Sequence, residues 1–236
     1  MTVTTALVEI TPGTTTGAIA AALPAAIPVF QRRWIDFCGV RPVTLGDAVE
    51  RASAHLDEVL GELLALPRDP FEPDWRTAPI GDLVEHIVST HHEFTKNAMP
   101  ALWTLLRQVV AKHGDAQPEL HEIARTIAPL FTELGQHLVK EERHLFPYLR
   151  GIDAAGGAHR GVPEAALAMM EDEHTHATEA FERLRSLSNG FRAPERASDP
   201  YRSLYAGLAE LGRDLRIHIH LENNILFVRA RESRRA

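Results

Sequence analysis

Four stretches of the chain repeat apolar residues every three or four positions: Ile80 to Lys112, Glu119 to Leu149, Glu164 to Leu187 and Tyr201 to Arg229. That period gives a helix one continuous buried face, and none of the stretches has the strict alternation of a strand. The breaks carry turn residues, at His113-Gly114-Asp115 with Pro118, at Gly156-Gly157 with Pro163, and at Asn189-Gly190 with Pro194. Four helices with short connections predict an all-α fold, an antiparallel four-helix bundle over residues 80–236. Pro100 and Pro129 are expected to bend the first two helices.

A smaller unit precedes the bundle. Residues 1–15 are rich in Thr without an apolar period and are expected to be mobile. Residues 16–66 read as a small helical domain with a turn near Cys38-Gly39 and a helical pattern through Leu45, Val49, Leu56, Val59 and Leu63. Alone, such a unit is too short to hold a sufficient core. Pro67, Pro70 and Pro73 mark residues 67–79 as a linker.

Composition removes several classes of function. A single cysteine excludes an internal disulfide framework and a Cys-rich zinc site. A formal charge of −7 lacks the cationic surplus that nucleic acid or an anionic membrane would need. The early apolar run Ala18 to Phe30 has no Lys or Arg before it and contains Pro24 and Pro28. It fits neither a signal peptide nor a membrane span, so a cytoplasmic protein is expected. The unusual count is 13 His.

Some of those histidines form a repeat. His92 precedes the pair His137/Glu141 by 45 residues, and His174 precedes the pair His218/Glu222 by 44. Leu145-Phe146 and Leu226-Phe227 follow the paired histidines at equal distances. At 100° per residue, His137 and Glu141 share the arc of Ile127, Leu130, Leu134 and Leu138, and His218 and Glu222 share that of Leu208, Leu215 and Ile225. His174 lies beside Met170 and Phe181. The polar groups therefore point into the core, where an uncompensated carboxylate costs several kcal/mol.

Two arrangements would compensate them. His–Glu hydrogen bonds could staple the helices, or a pair of divalent cations could supply the missing charge to both carboxylates. Imidazole and bridging carboxylate ligands suit iron, with manganese or zinc less suited, and here Glu141 and Glu222 would bridge a di-iron centre. The first-helix ligand is open on periodicity: His91 is central in the arc of Ile80, Val84, Ile87 and Phe94, and His92 lies at its edge. His113, 21 residues beyond His92, lies about 31 Å further along an unbroken helix and reads as a helix-end residue. His86, His144, His176 and His220 fall off the apolar arcs and are expected in solvent, while His55, His121 and His159 join no constellation.

The motifs His-Leu-Val-Lys-Glu-Glu-Arg-His-Leu-Phe-Pro at 137–147, Glu173-His174, and His-Ile-His-Leu-Glu-Asn-Asn-Ile-Leu-Phe at 218–227 resemble those of the Repair of Iron Centres di-iron proteins, a hemerythrin-like family. Ile35-Asp36-Phe37-Cys38 followed by Thr44-Leu45 is similar to the Asp-aromatic-Cys-Cys motif of that family's N-terminal domain. The family's first-helix His stands eight residues before a Pro, which selects His92 before Pro100. The resemblance thus implies metal ligation by His92, His137, Glu141, His174, His218 and Glu222, and two iron ions with an oxo or hydroxo bridge. The chain departs from the pattern at Gly39 for the second Cys, Val228 for a Pro and Ser198 for a frequent Cys.

The function implied is repair of iron-sulfur clusters damaged by nitric oxide or oxidants, with the protein as iron donor. The alternatives are binding or sensing of dioxygen or nitric oxide, and a di-iron reductase of nitric oxide or peroxide. The expected partners are damaged iron-sulfur proteins or a diatomic gas, without nucleic acid or membrane; a homodimer is compatible with the sequence. Cys38 reads equally as a packing residue or a reactive thiol.

Overall fold

The apolar periods along residues 80–113, 119–154, 164–187 and 199–232 fold as four long helices. The computed structural model describes residues 8–68, 73–154 and 162–233. Within the first bundle helix, Ile80–His86 leads through a π turn at Ile87–His92 into Glu93–His113. The second consists of Glu119–Lys140, a π turn at Glu141–Leu145, and Phe146–Ala154. The third is the uninterrupted Glu164–Leu187. The fourth consists of Asp199–Leu221, a π turn at Glu222–Leu226, and Phe227–Glu232. Pro100 and Pro129 lie inside helices that continue through them.

The start of the first bundle helix packs on the end of the second, as an antiparallel bundle requires, and the first also packs on the fourth, the second on the third and the third on the fourth. Gly207 permits the close approach of fourth to first, since a Cβ there would stand 2.7 Å from Cδ2 of Leu102. Buried side chains form two apolar clusters along the bundle. One contains Leu102, Leu106, Ile127, Leu134, Leu208 and Leu215; the other contains Leu83, Ile87, Leu149, Leu167, Leu226 and Phe227. A polar layer separates them at the level of the π turns.

Residues 8–68 cover one flank with four short helices, α1 (Thr16–Ala22), α2 (Ile27–Arg33), α3 (Leu45–Arg51) and α4 (Leu56–Leu64). Contrary to the expectation of mobility, residues 8–15 are tied down; residues 1–7 lie outside the described residues. Leu45 N–H donates to the Thr14 carbonyl at 2.8 Å, Gly46 N–H to that of Pro12 at 2.9 Å, and Ile10 is buried. The threonines are structural here: Thr15 and Thr44 cap α1 and α3 and form an isolated antiparallel bridge. Residues 69–72 of the expected linker also lie outside the described residues.

The flank shares the bundle's core. Phe30, Ile35, Phe37, Leu45 and Val59 belong to the same apolar cluster as Leu106 and Leu215. Four side chains of the fourth helix reach carbonyls of the α2–α3 loop: Arg216 donates to Ile35, His220 and Asn224 to Phe37, and Asn223 to Cys38. Gly17 of α1 meets Asn224 at a point where a Cβ would collide with the amide. His220, expected in solvent, is thereby 1% exposed, and burial pushes its pKa down to about 4. The helical wheel gave the fourth helix one buried face, whereas the flank gives it a second.

A shared core makes a testable statement about cooperativity. Phe30→Ala should destabilise the whole chain by about 3–5 kcal/mol, as truncation of a fully buried aromatic does. Helix content by circular dichroism and fluorescence of Trp34 in the flank should then follow one denaturant transition. An earlier transition confined to Trp34 would show that the flank unfolds by itself.

Candidate metal centre

The polar layer gathers one imidazole from each bundle helix and one carboxylate each from the second and fourth. His92, His137, His174, His218, Glu141 and Glu222 are all buried, both carboxylates at 0% exposure. They form two overlapping groups, His92/His218 and His137/His174, each with both carboxylates and with potential ligand atoms all within 4.8 Å of one another.

Each carboxylate spans the two groups. Glu141 turns Oε2 toward His92 Nε2 at 3.4 Å and Oε1 toward His137 Nε2 at 3.3 Å. Glu222 turns Oε1 toward His218 Nε2 and Oε2 toward His174 Nε2, both at 3.0 Å. Within the groups, Nε2 atoms face each other at 3.2 Å for His92 and His218 and at 3.1 Å for His137 and His174.

The opposite ring nitrogens fix what these Nε2 atoms can do. His92 Nδ1 donates to Glu142 Oε1, His137 Nδ1 to Glu173 Oε2 and His174 Nδ1 to Asn223 Oδ1, each at 2.8 Å. Lys96 and Lys140 pair with the two glutamates at the rim. With Nδ1 committed as donor, Nε2 of a neutral ring presents a lone pair. Three of the four imidazoles thus turn acceptors into the layer, while His218 Nδ1, Glu141 Oε1, Glu141 Oε2 and Glu222 Oε2 have no hydrogen-bond partner among the described residues. Something positive must sit among them, either protons or cations. A pair of divalent cations would engage all six groups at once, so the residues fit a two-metal centre.

Protons serve in the metal-free chain. Burial opposes charging of His137 and His92, but Glu141 and Glu222 outweigh it, raising His92 and holding His137 at about 9. At His218 burial, helped by the neighbouring His92 charge, prevails over the carboxylates and lowers the pKa. Burial works to raise both carboxyls, yet the imidazoles hold Glu141 and Glu222 below the ordinary carboxylate range.

Three of the supporting residues stand beside a cage residue and reach the imidazole of the preceding helix. Glu142 of the second helix holds His92 of the first, Glu173 of the third holds His137 of the second, and Asn223 of the fourth holds His174 of the third. His91 of the first helix closes the ring, stacking on His218 of the fourth with centroids 5.9 Å apart and planes 7° apart. Its Nδ1 donates to Asp214 Oδ1 at 2.9 Å. The π turn explains why periodicity favoured His91: one extra residue in the turn rotates everything after it by about 100°, bringing His92 to the angle that an unbroken helix gives position 91. Sequence reasoning missed Glu142, Glu173, Asn223 and Asp214; the signal available was their adjacency to, or one-turn spacing from, a cage residue.

Other histidines lie elsewhere. His113 ends its helix beside Ser198 at 3.1 Å, His86 is half-buried and stacks on Trp75, and His55, His121, His144 and His176 are exposed. His159 lies outside the described residues. Cys38 is buried, and burial together with Asp36 pushes its thiol up to about 12. It is a packing residue rather than a thiolate. A cavity of about 300 Å³, lined by Leu130, Leu134, His137, Lys140, Glu173 and His174 among others, opens beside the His137/His174 group.

A helical bundle that converges four imidazoles and two carboxylates between apolar layers is a cation-binding bundle. Residues 82–230 match the family model described as the Hemerythrin HHE cation binding domain. The chain belongs to that hemerythrin family and, within it, to the Repair of Iron Centres proteins its motifs resemble. It is 36% identical over 215 residues to the "Iron-sulfur cluster repair protein YtfE" of Pectobacterium atrosepticum, covering 91% of this chain and 95% of that protein. The protein of the same name from Cronobacter sakazakii is 36% identical over 217 residues, covering 91% and 94%. That of Escherichia coli O81 is 32% identical over 217 residues with the same coverage. Among the described residues no helix is long and apolar enough to cross a membrane.

The proton balance predicts the pH behaviour of the metal-free protein. His92 and His137 have raised pKa values in the folded state, so their stabilising contribution is complete below the unfolded value near 6.5 and is lost as pH rises through the folded value, about 9 for His137. Lowered His218 acts only below 6.5. The thermal midpoint of the metal-free protein should therefore fall between pH 6.5 and 9, and a bound divalent cation should abolish the fall. A flat profile in calorimetric scans of the metal-free protein would contradict the charge balance.

Proposed function

We propose that the cage holds two iron ions, one by His92 and His218 and the other by His137 and His174, with Glu141 and Glu222 shared between them, and that the protein repairs damaged iron-sulfur clusters in the cytoplasm by giving up that iron. The observation that carries the repair reading is the 36% identity across nine-tenths of the chain to proteins named for iron-sulfur cluster repair. Two oxygen ligands and two imidazoles at each position suit iron better than a thiolate-loving or all-oxygen ion.

Bound iron would supply the positive charge that the two buried carboxylates require and a coordination position open to an incoming ligand. The chain's own residues do the rest. Glu142 and Glu173 keep Nδ1 of His92 and His137 protonated and so keep Nε2 free as the ligating atom. Nothing in this reading needs a pair of thiols: Gly39 stands in place of a second cysteine and Cys38 is protonated and buried. The centre carries the activity, and the damaged iron-sulfur protein is the partner. The small cavity beside His137 and His174 favours one further reading, binding of a diatomic gas.

Purified protein should contain about two irons per chain, as carboxylate-bridged bundle centres do. His92→Ala should lose iron, whereas His91→Ala should keep it and lose stability, because His91 supports His218 only by stacking. Reduced holo-protein should yield its iron to a chelator within minutes and restore activity to an iron-depleted cluster enzyme. Retention of both irons through reduction, with reversible binding of nitric oxide or dioxygen and no restored activity, would replace the repair reading with the gas-binding one.

A further inference from the structure

Three of the cage imidazoles are held by another bundle helix through Nδ1, but the partner of His174 differs in kind. Glu142 and Glu173 are carboxylates at the rim, able only to accept. Asn223 is a neutral, buried amide, and an amide can turn either its oxygen or its nitrogen to a histidine. If Nδ2 faced His174, the ring would have to accept at Nδ1, carry its proton on Nε2, and offer the cage no lone pair.

The choice is made outside the bundle. Asn223 Nδ2 donates to the carbonyl of Cys38 at 2.9 Å, and a carbonyl can only accept. That contact fixes the amide with Oδ1 toward His174 Nδ1, at 2.8 Å. The Cys38 carbonyl is in turn placed by its loop. Asp36 Oδ1 accepts from the N–H groups of Cys38 at 3.0 Å and Gly39 at 3.2 Å, and the neighbouring Phe37 carbonyl accepts from His220 and Asn224. At position 39 a Cβ would stand 2.8 Å from Asp36 Oδ2, so glycine leaves the carboxylate the room it uses.

We infer that Asn223 is a positioning residue through which the Asp36–Gly39 loop of the flank sets the tautomer of His174, and with it the affinity of one of the two metal positions. The influence runs one way, from the loop carbonyl to the amide orientation, from there to Nδ1–H and so to a free Nε2. It rests on the reading of His174 as a ligand. The flank is then part of the metal centre although it contributes no ligand, and only the His137/His174 position responds to it. Loss of such an outer contact typically weakens metal binding about 10–100-fold.

The test uses the full-length metal-free protein, titrated anaerobically with ferrous iron against a competing chelator. Wild type should bind two ions. Asn223→Leu should bind one with wild-type affinity and the other about 10–100-fold more weakly. Asn223→Asp keeps an acceptor for Nδ1 and should retain both. Asp36→Ala, a change at an exposed residue of the flank loop, should weaken the same single position, and it decides the matter should Asn223→Leu fail to fold. Ring nitrogen NMR of metal-free protein should show His174 protonated at Nδ1 in wild type and Asn223→Asp, and a tautomer mixture in Asn223→Leu and Asp36→Ala. His174→Ala separates the positioning role of Asn223 from the ligand role of His174. If it loses one ion while Asn223→Leu and Asp36→Ala both keep two at wild-type affinity, the positioning role is wrong and the ligand reading stands. Two ions bound normally by His174→Ala would remove the ligand reading itself.

Discussion

Glu141 and Glu222 are carboxylates held wholly out of water within reach of the same four imidazoles, and the architecture is organised around that fact. An isolated buried carboxylate costs several kcal/mol, and two side by side repel as well. The helices must therefore bring compensating groups from every side. The apolar core is accordingly divided in two, with leucine-rich layers above and below a polar layer that none of the helices could bury alone. Those layers keep water away from the carboxylates, which makes every charge among them count for more.

Around this layer the supports form a closed circuit. Each helix presents its cage residue inward and uses an adjacent residue to steady the imidazole of the helix before it, with His91 completing the loop by ring stacking. A helix makes this economical, because neighbouring positions differ by about 100° and so address two different partners. Displacing one helix disturbs two imidazoles, its own and the one it supports. The circuit therefore ties the geometry of the cage to the packing of the whole bundle rather than to any one segment.

The helices and the inward-facing constellation were legible because both depend on local period and spacing. Leu130, Leu134 and Leu138 mark the arc on which His137 lies whatever the tertiary structure, and the two halves of the repeat check each other. What escaped the sequence was set by contacts between distant segments. His220 reads as solvated because its burial comes from Phe37, 183 positions away. Residues 8–15 have no period to detect, since their order arises from pairing with residues 43–46. The choice between His91 and His92 could not be made from a wheel that assumes 100° throughout, because a π turn lies between Ile87 and His92. The family resemblance picks His92 by sequence position, which is insensitive to helical twist, and it is His92 that the π turn brings into the polar layer.

The π turns at Glu141–Leu145 and Glu222–Leu226 have one more implication. Each closes with the N–H of the following Phe donated to the carbonyl of its Glu, and each Phe then lies against the imidazole of the preceding helix, Phe146 on His92 and Phe227 on His174. Removing one residue from either turn would leave every cage side chain in the chain while swinging the remainder of the helix by about 100° and carrying the Phe away from its ring. The number of residues between Glu141 and Phe146, or between Glu222 and Phe227, is thus as much a part of the site as the identities of the cage residues. A residue gained or lost in a connection between helices leaves the cage where it is, whereas one gained or lost in either of these two short intervals dismantles it.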